Sequence, residues 1–202
     1  MSTRLRLAAL LLLIGGHAGG AEPPAPKATE VRTAIFAGGC FWCIEADFEK
    51  LPGVLAAESG YTGGRTANPS YEQVSAGNTG HTEAIRVSYD PQRLSYPQLL
   101  DYFWRHIDPT VRNRQFCDVG TQYRSGIYWQ NEVERKAAES SRDALLASGK
   151  LPHIETEIVA AATFYPAEEY HQDYYKKNPI RYAYYRQGCG RDARVKQIWG
   201  SS

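Results

Sequence analysis

The chain has no excess charge of either sign: 23 lysines and arginines stand against 22 aspartates and glutamates in 202 residues, for a formal net charge of +1. That balance excludes the basic field a nucleic-acid binder needs, and it leaves no acidic tail. There is no internal repeat and no low-complexity tract. Beyond the N-terminus, no apolar segment is long enough, or free enough of charge, to cross a bilayer. His81, His106, His153 and His171 are scattered, and none pairs with cysteine at a zinc-binding spacing. His171 sits in Glu168-Glu169-Tyr170-His171-Gln172 and reads as a helix-face residue rather than a base. Cysteine is scarce, with four residues (Cys40, Cys43, Cys117 and Cys189). They suffice for two structural disulfides, which a chain of this length does not need.

The N-terminus is the apolar exception. Arg4 and Arg6 precede Leu7-Ala8-Ala9-Leu10-Leu11-Leu12-Leu13-Ile14, and small residues follow from Gly15 to Ala21. This pattern predicts a secretory signal peptide over 1–21, cut after Ala21, with no nearby cysteine for a lipid anchor. Pro23, Pro24 and Pro26 predict an extended linker over 22–30, followed by one domain over 31–202. Export is the expectation, to the periplasm in a bacterial host, with no membrane insertion after cleavage.

Within the domain, strands are expected at Arg32 to Ala37, Val54 to Ser59, Glu83 to Tyr89, Ile127 to Trp129 and Ile154 to Ala160. Ser95-Tyr96-Pro97-Gln98 opens a helix whose apolar face is Leu99, Leu100, Phe103, Trp104 and Ile107. Asn131 to Ser148 is a second helix stopped by Gly149, and Ala167 to Lys177 also reads as helical. Tyr61 to Pro69 is a loop by composition, Asp108 to Arg124 lacks a period, and Arg181 to Trp199 is aromatic and basic without a clean one. Strands and helices intermingle, which predicts an α+β fold with a mixed central sheet packed by helices. The pattern alone does not order the strands.

Gly38-Gly39-Cys40-Phe41-Trp42-Cys43 carries the most chemistry. Ile44, Phe48 and Leu51 recur at helical spacing before Pro52-Gly53, so Cys40 falls at a helix start. The positive helix end there predicts a lowered pKa and a reactive thiolate; the alternative is a cysteine that merely fills a buried turn. Phe41 and Trp42 read as walls of a small apolar pocket beside the sulfur. Glu83 lies in line with the apolar positions of its strand. It is either a partly buried carboxyl acting as a proton donor or an edge-strand glutamate in water. Asp118 sits in a polar run where it is either functional or a turn residue. Among 14 tyrosines, first principles single out neither Tyr71 nor Tyr123 as a hydroxyl donor.

Gly-Gly-Cys-Phe-Trp, Gly-His-Thr-Glu-Ala and Asp-Val-Gly-Thr-Gln-Tyr-Arg-Ser occur in that order. Gly60-Tyr61-Thr62-Gly63-Gly64 and Asn68-Pro69-Ser70-Tyr71 lie between the first two. With these motifs the chain resembles the methionine sulfoxide reductase A family from about Ile35 to Trp199. The resemblance implies a mixed αβ fold, a ferredoxin-like two-layer sandwich, and reduction of the S epimer of methionine sulfoxide, free or in proteins. It implies no metal or bound organic cofactor; an external, thioredoxin-like dithiol donor supplies the electrons. Carried over by motif, Cys40 is the nucleophile and Glu83 the acid. Tyr71, Tyr123 and Asp118 hold the sulfoxide oxygen, and Phe41 and Trp42 cup the S-methyl group. Cys189, in Gln187-Gly188-Cys189-Gly190, matches the C-terminal recycling position and is the preferred partner for oxidised Cys40. Cys43 departs from the commonest pattern, which has glycine there. It is the alternative partner, within reach only if the first helical turn distorts. Cys117 has no assigned role and reads as structural. Two other readings remain open: a thioredoxin-like disulfide exchanger built on Cys40 and Cys43, and a secreted binding module whose four cysteines are permanently paired.

Overall fold

A computed structural model of the protein describes residues 30–200. The expected signal peptide and nearly all of the expected linker lie outside the described residues. In chain order the elements are β1 (Arg32–Gly38), α1 (Phe41–Phe48), β2 (Val54–Thr62), α2 (Tyr71–Ser75), β3 (Thr82–Tyr89) and α3 (Tyr96–Arg105). Next come a two-residue hairpin of β4 (Arg114–Gln115) and β5 (Asp118–Val119), a 3-10 turn at Thr121–Tyr123, β6 (Ser125–Trp129) and α4 (Glu132–Ala147). The chain closes with β7 (Glu157–Ala160), β8 (Tyr165–Pro166), α5 (Tyr174–Lys177), α6 (Pro179–Gly188) and α7 (Arg191–Trp199).

The main sheet runs β7-β6-β1-β3-β2-β8, antiparallel throughout except for the parallel pair β6 and β7. Its inner strands, β6-β1-β3-β2, with α1 and α3 as connections, form two interlocked split βαβ units. This is the ferredoxin-like sandwich that the family resemblance implies. Local chemistry sets the helix starts. Gln98 Oε1 accepts from the Ser95 N–H at 2.8 Å, and Asn131 caps α4 by accepting from the Glu134 N–H at 3.0 Å.

Alternation along the strands divides the core. Phe36, Ile85, Val87 and Ile127 face the helices, where they meet Ile44, Phe48, Leu99 and Phe103. Phe36 stacks against Phe48 and Phe103 with ring centroids 5.2 and 5.0 Å apart. Ile35, Ala37, Ala84 and Tyr128 point the other way and are covered by Ala161 and Phe164. Glu83 lies two residues before Ile85, so the period of two puts its carboxyl on the helix-covered face, opposite Tyr61 of β2. It is 2% exposed, which excludes the edge-strand reading.

The C-terminal third departs from expectation. Residues 167–168 are irregular and 169–173 are turns, and only Tyr174–Lys177 of this stretch is helical. Side chains hold that segment against the sheet in place of helical hydrogen bonds. Gln172 brackets Ser59 through both its N–H and its carbonyl, Glu168 binds the Tyr61 hydroxyl and the Tyr71 N–H, and Asp173 takes a left-handed φ of 53°. The aperiodic stretch from Arg181 to Trp199 is two helices broken at Gly190 (φ 70°). Tyr61 and Thr62 complete β2 rather than starting a loop, and β7 begins only at Glu157.

Replacing Phe36 by alanine removes the ring on which both helices converge. A loss of about 3–5 kcal/mol is expected, read as a lower urea midpoint at unchanged m-value.

Candidate active site

β1 delivers the chain to Gly38, and Gly39 turns it with a φ of 81°; a Cβ there would lie 2.5 Å from the Cβ of Gln115. The turn ends on Cys40, which is the N-cap of α1 with non-helical φ −49° and ψ 118°. Its carbonyl accepts from the N–H groups of Cys43 at 3.1 Å and Ile44 at 3.3 Å. The position matches the sequence reading, but the electrostatics do not. The first free N–H of the helix, that of Phe41, donates to Glu83 Oε2 at 2.9 Å, so the carboxyl and not the sulfur occupies the anion position. Cys40 is 7% exposed. Burial, its hydrogen bond with Cys43 and the nearby Glu83 carboxyl push its thiol pKa up, reversing the lowered value that helix position alone predicts.

Glu83 is in the complementary condition. Burial raises its pKa, the Phe41 N–H lowers it, and the Asp118 and Cys43 charges raise it further; the outcome is about 8. At neutral pH the carboxyl holds its proton inside the protein, next to a thiol that also holds its own.

The other predicted residues converge on this pair. Burial first, then the charges of Glu83, Cys40 and Asp118, raise the Tyr71 hydroxyl to about 12. Tyr123 is raised by burial and by the same three charges together with Tyr71. Asp118 is itself raised by burial and accepts from the Tyr185 hydroxyl at 2.7 Å. Phe41 is only 1% exposed and packs against Tyr61, Tyr71 and His171, so it backs the site from within the core. Trp42 is half-buried and fixed on two sides. Its ring stacks on Tyr174 at 3.7 Å and 5°, and its indole N–H donates to His171 Nδ1 at 3.0 Å. His171 is therefore a buried ring in a turn, holding Trp42, and not a helix-face residue. The acceptor role of Nδ1 places the imidazole hydrogen on Nε2.

Sequence reasoning missed Tyr185, whose hydroxyl lies against both the Cys40 sulfur and Asp118. The signal was present, because Tyr182, Tyr185, Arg186 and Cys189 share one face of a helix at i, i+3, i+4 and i+7. Helix α6 carries that face onto α1, where Arg186 pairs with Asp47 at 2.8 Å. Arg191 is 2% exposed, donates to the Gly38 carbonyl at 3.1 Å and to the His106 carbonyl at 2.8 Å, and stands over the Phe116 ring.

Cys189 is bonded to Cys117, while Cys40 and Cys43 are free. The thiol that the family resemblance assigns to recycling is thus engaged in this state, and it caps α6 rather than riding a loose tail. Cys117, Asp118 and Cys189 have ligand atoms close together, but both sulfurs are already bonded to each other and so are not metal donors. Two free thiols exclude a module with four permanently paired cysteines.

Fold and site are those of an oxidoreductase, with a free cysteine beside a buried carboxyl. A family model described as peptide methionine sulfoxide reductase matches residues 32–202. The chain is 51% identical over 181 residues to peptide methionine sulfoxide reductase MsrA 2 of Caulobacter vibrioides, covering 90% of this chain and 92% of that relative. It is 52% identical over 169 residues to the MsrA of Bacillus licheniformis, covering 83% and 93%. Reduced Mxr1 from Saccharomyces cerevisiae superposes with a TM-score of 0.69 at 34% identity, covering 74% of this chain and 87% of that one. The chain belongs to the peptide methionine sulfoxide reductase family.

If Glu83 is the acid, Glu83→Gln slows single-turnover methionine formation by about 100-fold or more with little change in substrate affinity. In the unsubstituted protein, deprotonation removes the donor. The single-turnover rate should therefore be level below about pH 7 and fall as pH rises through about 8. A rate that instead climbs across that range would assign control to thiolate formation.

Proposed function

We propose that the protein reduces the S epimer of methionine sulfoxide, in peptides and as the free amino acid, with Cys40 as nucleophile and Glu83 as acid. The observation that carries this reading is the buried carboxyl beneath the start of α1, protonated at neutral pH beside the cysteine. A sulfoxide oxygen is a poor leaving group. Protonating it makes the attached sulfur electrophilic enough for a thiol to attack. Glu83 gives its proton to the oxygen as the Cys40 sulfur bonds to the substrate sulfur, and the thiol proton replaces the one Glu83 gave. The substrate S–O bond breaks, two electrons pass from Cys40 to the substrate, and one oxygen ends on Cys40. Thiol and sulfoxide become sulfenic acid and thioether, with no net proton change. Two neutral acids in a dry site suit this balance, so the high pKa of Cys40 is no obstacle once the substrate carries the proton.

In this reading Tyr71, Tyr123 and Asp118 orient the oxygen, while Trp42, held by His171 and Tyr174, meets the S-methyl group with Phe41 behind it. A second thiol of this chain then condenses with the sulfenic acid, releasing water, and a thioredoxin-like dithiol donor reduces the resulting disulfide. No metal or organic cofactor takes part. The thioredoxin-like exchanger reading loses its support, because the family model over residues 32–202 and the relatives at 51% and 52% identity are all methionine sulfoxide reductases. The apolar leader supports export, and in a bacterial host we place the enzyme in the periplasm, repairing oxidised methionine in exported proteins.

Incubation with dithiothreitol and separated epimers of a methionine sulfoxide peptide tests this reading. The S epimer should be consumed and the R epimer left, and Cys40→Ser should abolish turnover. Consumption of the R epimer at an equal rate, or activity surviving Cys40→Ser, would contradict it.

A further inference from the structure

We propose that Tyr185 is a further catalytic residue: its hydroxyl donates to the Cys40 sulfur as that sulfur becomes anionic during attack, and Asp118 holds the hydroxyl in place beforehand. The assignment rests on the reductase reading above and adds to it the group that stabilises the attacking atom.

Tyr185 lies on α6, and the next residue, Arg186, pairs with Asp47 of α1 at 2.8 Å. Because Cys40 caps that same α1, the ion pair fixes the backbone of Tyr185 against the sulfur's own helix. One turn on, the Cys189 N–H donates to the Tyr185 carbonyl at 2.9 Å, and Cys189 is bonded to Cys117, the residue before Asp118. The disulfide therefore ties the end of α6 to the hairpin that carries Asp118. The Tyr185 hydroxyl spans the same two elements by donating to Asp118 Oδ2 at 2.7 Å. The ring is set as well. It stands at 80° to the Trp42 ring with centroids 5.8 Å apart, and it packs in the cluster formed by Cys40, Cys43, Tyr174 and Tyr182.

Chemistry separates Tyr185 from the other tyrosines at the site. Tyr71 and Tyr123 sense the sulfur's charge, whereas Tyr185 is in hydrogen-bond contact with it. Burial, the contact with Cys43 and the Glu83 carboxyl all oppose an anion on Cys40; the Tyr185 hydroxyl favours it. The opposition grows during the reaction, because Glu83 becomes a carboxylate on giving up its proton. Burial and the charges of Cys40 and Asp118 push the Tyr185 pKa up, so the hydroxyl keeps its hydrogen.

A phenol carries one hydrogen and aims it at one acceptor at a time. At rest that acceptor is Asp118. Rotation about the C–O bond turns the hydrogen to the sulfur as charge builds there, so the stabilisation is realised in the transition state and not in the free enzyme. No bond to Tyr185 forms or breaks, and the proton balance of the reduction is unchanged.

Tyr185→Phe removes the hydroxyl and keeps the ring against Trp42. With Cys117–Cys189 closed, single-turnover release of methionine from a methionine S-sulfoxide peptide is measured across substrate concentrations. Iodoacetamide labelling of Cys40 is then followed against pH, with fragment masses scoring Cys43 separately. We expect the saturated rate to fall about tenfold or more, the half-saturating concentration to stay within about twofold, and the Cys40 labelling midpoint to rise by about one pH unit. Tyr184→Phe, exposed on the same helix, should change none of these. A Tyr185→Phe protein with an unchanged rate or an unchanged labelling midpoint, or an equal loss in Tyr184→Phe, would overturn the assignment and leave the reductase reading standing. No methionine release by the unsubstituted protein would overturn both.

Discussion

The site depends on the hydrogen bond from the Phe41 N–H to Glu83. It joins the start of α1 to the helix-facing side of β3 and decides which group the helix end serves. A carboxylate in this position would forfeit water for one backbone donor, and several kcal/mol of desolvation is typical for a buried ion, so the proton stays. Cys40, without that donor, has the Tyr185 hydroxyl to lower its pKa, but burial outweighs it and the thiol also remains protonated. Burial thereby sets the resting ionisation of both groups, and the Phe41 contact fixes where the carboxyl sits. It also explains why the acid must share a face with Ile85 and Val87, since only those positions lie beneath the helix.

Around that centre, the C-terminal segments act as clamps. Asp47 of α1 is met by Arg186 and Arg191 from two successive helices, and Arg191 also holds the strand end just before the Gly39 turn. Buried charges of this kind are a poor source of net stability, but removing either partner leaves the other exposed to the full penalty, which fixes the geometry. The rings follow the same logic. Trp42 has one face on Tyr174 and its N–H on His171, so the ring is held in one orientation by the protein itself. Glu168 completes the frame by joining Tyr61 and the backbone of Tyr71 through its two oxygens.

Where one face of an element is buried, the sequence was legible. The period of two aligned Glu83 with Ile85 and Val87 but left its burial open, the helical spacing after Cys40 placed the sulfur at a helix start, and Ser95 and Asn131 marked the starts of α3 and α4. The family motifs supplied the roles of Tyr71, Tyr123 and Asp118, which pattern alone did not. Three features stayed hidden for physical reasons. Long-range side-chain bonds from Glu168 and Gln172 override local helix preference over 167–173. The helices α6 and α7 bury arginine and tyrosine faces, which an apolar period does not reveal. The Cys117–Cys189 pairing joins residues 72 positions apart, and no local pattern encodes that. The expected thiolate was lost for a different reason: helix position is a local property, whereas desolvation depends on everything packed above it.

The central claim is that burial keeps Glu83 protonated at neutral pH beside Cys40. Difference infrared titration of the unsubstituted protein against Glu83→Gln reads this directly. The account predicts a carboxylic-acid carbonyl band, absent from the variant, that persists at pH 7 and disappears as pH rises through about 8. A band already lost near the ordinary glutamate value of 4.5 would contradict it.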